Sequence, residues 1–287
     1  MTVPENNPVV QQRRLRGELR RAREQAKLTQ AQVADDMDWS VSKVIRIETG
    51  AVGLSLVDLR ALLQLYGVDD RAVVDGLVEM GKASRKRAWW DDFREYIGDT
   101  MVKFIGLESS ASIIRQNQDE LMPGLMQTSD YARAVQQIYG TPADVVEKKT
   151  EVRIKRQEIL DPGRSAKFFF VIDESVLHRV VGGVAVMREQ LLQLKEFSRQ
   201  PNISIQVLPF SAGMHIGMKL GAFSVLELSG GLQDPVAVTE HPAAGLAIED
   251  KAEQVSDFVE AFLQLEAIAR PKEELEARIE RAIRDLG

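Results

Sequence analysis

The side chains of this chain most able to do chemistry are charged rather than nucleophilic. Seven basic residues (Arg13, Arg14, Arg16, Arg20, Arg21, Arg23 and Lys27) stand in one short run with only two acids, Glu18 and Glu24. Farther along, Glu151, Arg153, Arg156 and Gln157 fall within two turns of one expected helix, and Asp173-Glu174 directly follow the apolar run Phe168–Ile172. Each group has two readings. The basic run either neutralises phosphate or is a solvated helix face. The Arg153 and Arg156 group either binds an anion or is a charge network within its own helix. Asp173 and Glu174 either face a crevice at the end of a strand or cap the next helix.

Covalent and metal chemistry have no comparable candidates. Cysteine is absent, which excludes disulfides, thiolate catalysis and cysteine-ligated zinc. The histidines His178, His215 and His241 are far apart and lack ligand spacing. No G-x-x-x-x-G-K-[ST] loop, G-x-S-x-G elbow or H-E-x-x-H pair occurs. No catalytic residue, metal or organic cofactor is therefore expected, and the chain does not read as an enzyme.

The chain has 287 residues, enough for two ordinary domains, and is 44% hydrophobic and 28% charged, as in water-soluble globular proteins. No run approaches the roughly 18–20 apolar residues that span a bilayer. The start, MTVPENNPVV, has neither the basic opening nor the apolar core of a secretion signal. A cytoplasmic protein without membrane attachment is the expectation. Its net charge of −6 hides an asymmetry. Residues 1–87 hold 15 Lys/Arg against 12 Asp/Glu, and the remainder holds 22 against 31. Screening confines each field to about 10 Å, so an acidic second domain does not stop a small basic face from meeting phosphate.

The elements that must position these groups follow from periodicity. Leu15, Leu19, Ala22 and Ala26 form one helical stripe. Thr29 suits the N-cap of a second helix with Val33, Ala34 and Met37 inward. Ser40 suits the cap of a third, with Val44 and Ile47 inward and Gly50 as its left-handed stop. Ser55 opens a fourth through Leu59, Leu62, Leu63 and Tyr66. Asp69 or Asp70 opens a fifth carrying Val73, Val74, Leu77 and Met80. The polar stretch Gly81–Arg87 then marks a domain boundary. Trp89, Trp90, Phe93, Tyr96, Ile97, Met101 and Phe104 predict one long amphipathic helix. Strands are predicted at Ser112–Ile114, Lys167–Ile172, Ile203–Leu208, Ala222–Leu228 and Pro235–Thr239. Helices are predicted near 129–139, 143–160, 184–199 and 250–269. Gly213, Gly217 and Gly221 mark a loop or hairpin. The fold class is thus multi-domain: an all-α domain of five helices (10–82), an α/β or α+β domain with a mixed sheet (83–270), and a C-terminal helix (271–287) that is either a dimerisation element or a loose tail.

The second and third helices, joined through Met37–Asp38–Trp39, have the form of a helix-turn-helix. A major groove about 12 Å wide admits one helix, read by its exposed early turns. Val41, Ser42, Lys43 and Arg46 face outward here, while Val44 and Ile47 anchor the opposite side. Trp39 reads as a packing staple. Arg23, Leu28-Thr29-Gln30, Val33-Ala34, Trp39-Ser40, Val44, Ile47-Glu48 and Gly50 together resemble the Xre or lambda-repressor-type helix-turn-helix family over residues 13–68. The resemblance implies that Thr29 and Gln30 sit at the helix start near phosphate, with Gln30 also ordering the recognition helix. It implies that Val41, Ser42 and Arg46 face base edges, that Ser40 and Lys43 reach the backbone, and that Glu48 pairs with Arg23. Ala51-Val52-Gly53-Leu54 depart from the basic residues common after that glycine, which implies a flatter salt dependence that the Arg-rich first helix offsets in part. A domain of this size implies a homodimer on a double-stranded operator.

The stretch Leu121-Met122-Pro123-Gly124-Leu125-Met126-Gln127-Thr128, with Tyr131-Ala132-Arg133-Ala134, resembles an actinobacterial C-terminal domain of unknown function found in WhiJ-like, antitoxin-like regulators. Trp89-Trp90, Gly106-Leu107-Glu108, Arg153 with Arg156-Gln157, Asp173-Glu174, Val181-Gly182-Gly183 and Ile205–Gly213 add to it, covering about 88–270. The resemblance implies a nucleoid-associated repressor whose C-terminal domain binds a small BldB-like protein or a small ligand. The alternative it leaves open is an antitoxin-like protein that sequesters that partner and regulates itself. From the residues alone, Pro123-Gly124 fix a turn before a helix capped by Thr128. Leu125 and Met126 are then either that turn's packing or part of a partner groove.

Overall fold

Local signals set the first helices. The computed structural model describes residues 7–228, 235–241 and 245–287. Its contacts part the chain into two compact units, one reaching Trp89 and one starting at Trp90. In the first unit, Asn7 caps α1 (Pro8–Gln25), whose first position is the proline. Thr29 and Gln32 form a capping box on α2 (Gln30–Asp36), and Ser40 caps α3 (Val41–Glu48). Ser55 caps α4 (Leu56–Leu65) and Asp70 caps α5 (Arg71–Ala83). Leu15, Leu19, Val33, Ala34, Val44, Leu59, Leu62, Leu63, Leu77 and Val78 make one shared core. Two details differ from the sequence pattern. Val73 is exposed and Val78 is buried in its place, and α5 runs three residues into the polar stretch expected as linker.

The second unit opens with a 3₁₀ turn, Trp89–Phe93, followed by α6 (Arg94–Glu108). The single long helix expected here is broken, because Gly98 takes φ 74° and interrupts the helical backbone. The remaining elements are β1 (Ala111–Gln118), α7 (Ser129–Ile138), α8 (Ala143–Arg156), β2 (Lys167–Asp173), α9 (Ser175–His178) and α10 (Val184–Ser198). They continue with β3 (Ile203–Leu208), α11 (Ile216–Leu220), β4 (Phe223–Leu228), β5 (Val236–His241), β6 (Gly245–Glu249), α12 (Ala252–Ile268) and α13 (Leu275–Asp285). The short helices α9 and α11 and the edge strand β6 carry too few apolar residues to show in a periodicity.

The six strands form one mixed sheet in the order β3-β2-β1-β4-β5-β6. β1, β2 and β3 are parallel, and the other pairings are antiparallel. The two parallel crossovers step in the same direction, so right-handedness puts α8 and α10 on one face. Helix α12 takes the other, where Phe262 and Leu265 pack on Val171, Phe223 and Val225. Strand alternation therefore turns Ile114, Gln116, Gln118, Phe170, Ile172 and Ser224 toward the α8 side. Helix α13 is neither tail nor free surface: Leu275, Ile279 and Ala282 are buried, and Lys195 and Arg199 of α10 pair with Glu280 and Glu276.

Candidate nucleic-acid interface

The turn between α2 and α3 is built on Asp38, whose φ of 54° is tolerated because a short polar side chain suits the left-handed region. It lets the Trp39 amide donate back to the Ala34 carbonyl at 2.7 Å. Helix α3 is then held from its inner side by Val44, 2% exposed, and Ile47. Val41, Ser42, Ile45 and Arg46 are exposed on the opposite side, and Arg46 touches only its own helix, at the Ser42 carbonyl. Ile45 is the one outward residue of this helix that sequence patterning missed. It stands 41% exposed, one turn on from Val41.

The far end of α3 is fastened by α1. The Arg23 guanidinium donates to both Glu48 oxygens, at 2.5 and 3.2 Å, and to the Leu28 carbonyl at 2.9 Å. Gln30 adds a bond to Glu48 at 2.8 Å, which ties the start of α2 to the end of α3. The hydrogen bond that Arg23 donates to Glu48 holds the Arg23 pKa above its ordinary value despite desolvation. Arg16 donates to the Thr49 carbonyl at 2.7 Å, a cation placed at a helix C-terminus. Gly50, φ 72°, has no room for a side chain, since a Cβ there would lie 2.7 Å from Arg16 Nη1. Arg16 and Arg23 of the basic run thus serve the fold, while Arg20 and Arg21 make exposed pairs with Glu24 and Glu18.

The other residues with a sequence-based assignment at this face are also engaged locally. Thr29 is exposed, but its hydroxyl is taken up by the capping box with Gln32. The Ser40 hydroxyl accepts from the Lys43 amide at 3.2 Å. The Lys43 ammonium lies 3.5 Å from the centre of the Trp39 ring and 3.7 Å from Asp58. Trp39 packs on the core and doubles as the platform for that lysine. The face that remains for a groove is Val41, Ser42, Ile45 and Arg46, with Lys43 able to swing from its platform.

In the second unit the motif around Pro123-Gly124 is scaffold. Gln190 accepts from the Thr128 amide and donates to the Met126 carbonyl, both at 2.7 Å. Gln127 donates to the Met122 carbonyl at 2.7 Å and Gln157 to the Gln127 carbonyl at 2.6 Å. Leu125 and Met126 are 1% and 0% exposed, so the partner groove proposed for them is filled by the chain itself. Asp173 accepts from the Ser175 amide in the turn that leads into α9. Glu174 accepts from the Phe210 amide and from Arg278 of α13. Both acids hold neighbouring elements in place and are not joined to the arginines of α8.

Those arginines do not form a network within their helix. Arg156 donates a bidentate fork to Glu108, 2.8 Å on each arm, and both groups are buried. Arg153 makes no hydrogen bond or ion pair among the described residues. Desolvation, and then the neighbouring Arg156 charge, lower its pKa to about 10. Elsewhere, a cleft of about 280 Å³ is lined by Leu220, Thr239, Glu249, Gln254, Asp257 and Phe258. No group of His, Cys, Asp and Glu able to hold a metal occurs among the described residues, and no described helix is long and apolar enough to cross a membrane.

Two family models match the chain. A helix-turn-helix domain matches residues 14–76, and a domain of unknown function (DUF5753) matches residues 101–281. No curated protein and no solved structure matches. The N-terminal match identifies a DNA-binding domain of the kind regulators carry, and it spans α1 to α5 and the face just described.

Proposed function

The chain belongs to the family of this C-terminal domain of unknown function, with a helix-turn-helix domain ahead of it, and on that premise we propose that it is a transcription regulator that grips an operator and represses from it. The observation that carries the reading is α3, anchored by Val44 and Ile47 and presenting Val41, Ser42, Ile45 and Arg46. Apolar Val41 and Ile45 suit thymine methyl groups, and the Arg46 fork suits guanine. Ser40 and Lys43, with Thr29 and Gln30 at the start of α2, stand where the backbone would pass. A homodimer on two half-sites one helical turn apart supplies the contact area that one small domain lacks. It acts on chromosomal DNA in the cytoplasm, and the C-terminal unit sets its activity, in the manner of the WhiJ-like regulators it resembles.

A second reading, in which the C-terminal unit captures a small partner protein in an antitoxin-like role, is favoured by one feature. Phe210, Met214 and Met218 are exposed in and around the loop after β3, with Met214 at 92%. Exposed apolar groups of that size are characteristic of protein-binding surfaces. Selection of random duplex DNA by the full-length protein, followed by pull-down from its native cell extract, separates the two. Enrichment of a palindromic site supports the operator reading. Recovery of a stoichiometric partner with no sequence enriched replaces it with the capture reading.

A further inference from the structure

We infer that Arg153 is the receptor group of an oxyanion site, formed by α8, the Gly124 turn and Tyr131, that takes the carboxylate or phosphate of a small soluble ligand. Two guanidinium groups lie against the same stretch of backbone. A Cβ on Gly124 would stand 2.6 Å from Arg153 Nη1 and 3.8 Å from Arg156 Nη1. A side chain at this position would push the Arg153 fork aside, so the glycine leaves the fork room against the turn. Glu108 answers Arg156 with both oxygens, and no described residue answers Arg153. Glu240 lies near enough for its charge to be felt by both arginines, but it is exposed and forms no ion pair with either. Arg153 is thus a part-exposed guanidinium fork that no described residue accepts, and a bidentate oxyanion is the group that fits such a fork best.

The surroundings add unmatched polar groups. The Tyr131 hydroxyl, on a residue 1% exposed, accepts from the Met122 amide at 3.2 Å, and its own proton meets no acceptor among the described residues. It lies close enough for the Arg153 charge to act on it. Gln127 Oε1, next to the Gly124 turn, and Thr150 Oγ1, on α8, are buried without a hydrogen-bond partner among the described residues. Arg153 itself keeps part of its surface open, so a ligand reaches it from solvent without unfolding the unit.

As a control site this rests on the regulatory reading above; as a binding site it does not. The test is thermal melting of the full-length protein in inorganic phosphate and, separately, acetate, each against chloride at matched ionic strength. Phosphate or acetate at about 100 times its Kd should raise the melting temperature of the C-terminal unit by roughly 5–10 °C, and chloride should not. A response to phosphate alone assigns a phosphate ligand, and a response to acetate alone a carboxylate. R153K should bind at least tenfold more weakly and R153M not at all, while ligand-free R153M should melt no lower than the native protein. No shift with either anion, a shift that persists in R153M, or a ligand-free R153M that melts several degrees lower or fails to fold overturns the site. Operator affinity measured with and without the active anion stands apart: an unchanged affinity removes the control role and leaves the binding site in place.

Discussion

Replacing Glu108 by alanine tests the packing logic of the C-terminal unit most directly. Glu108 ends α6, Arg156 ends α8, and their side chains are only 4% and 7% exposed. The pair is therefore close to fully desolvated, with both arms of the fork at 2.8 Å. Such a pair adds little net stability over an apolar replacement, because desolvation nearly cancels the attraction. Removing one partner is different, since it leaves a buried charge with nothing to answer it, at a cost of about 3–5 kcal/mol. Here the cost belongs at the upper end, because Arg153 stands beside Arg156 and both cations would share the loss. For a unit of this size, about 4–5 kcal/mol lowers the melting temperature by roughly 10–15 °C. Chemical denaturation followed by circular dichroism should show the C-terminal transition moving and the N-terminal one staying. The double variant E108L with R156M should recover most of the loss. A fall below about 1 kcal/mol in E108A, or a double variant no more stable than E108A, would refute the reasoning.

Other outcomes can be checked with the same protein. Arg46→Ala should weaken operator binding by roughly 1–3 kcal/mol in fluorescence anisotropy without moving the melting temperature, and an unchanged affinity removes Arg46 from the contact face. Ile45→Ala should leave the fold intact, because the side chain is exposed, and weaken binding by about 1 kcal/mol at sites with thymine opposite it. Equal binding at all sites would show that Ile45 reads no base. Val44→Asp buries a charge in the N-terminal core and should unfold that unit while the C-terminal one keeps its transition; loss of both together would show that they do not fold separately. Burial, reinforced by Glu48, raises the Tyr66 pKa to about 12. Its neutral form is therefore favoured by folding, and that stability is full below pH 10 and lost as pH climbs from 10 through 12. With partial solvation allowed for, the loss is on the order of 1–2 kcal/mol, and Tyr66→Phe should abolish this alkaline step in a pH titration of the N-terminal transition.

The first unit was legible because its determinants are local. Caps at Thr29, Ser40 and Ser55, the stop at Gly50 and the alternation of Val44 and Ile47 with polar neighbours are fixed by spacing alone. The role of Ile45 was not legible, since an apolar residue outside a stripe looks the same in sequence whether it packs or protrudes. In the second unit the main strands and helices appeared in the pattern, and the short β6, α9 and α11 did not. The chemical residues were harder. Asp173 and Glu174 are adjacent in sequence yet serve the turn into α9 and a bridge to α13, more than a hundred residues away. Arg153 and Arg156 share one helix face, but only the fold brings Glu108 to one of them and no described residue to the other.

The two units use a similar device to different ends. In each, an arginine forks onto a glutamate at the end of another helix: Arg23 onto Glu48, and Arg156 onto Glu108. In the first unit the fork is completed by Gln30, and Arg16 satisfies the carbonyl that remains at the end of α3. The interior around the recognition helix is thereby satisfied, and the polar and basic groups left over point outward, which is what a rigid face for a rigid groove requires. In the second unit the fork is completed, yet part-exposed Arg153 stays over, near a hydroxyl whose proton meets no acceptor among the described residues. Folded proteins rarely leave buried donors without acceptors. Donors left over in one place mark where an acceptor from outside the chain fits, so the first unit presents an outward face and the second a part-exposed fork beside a buried hydroxyl.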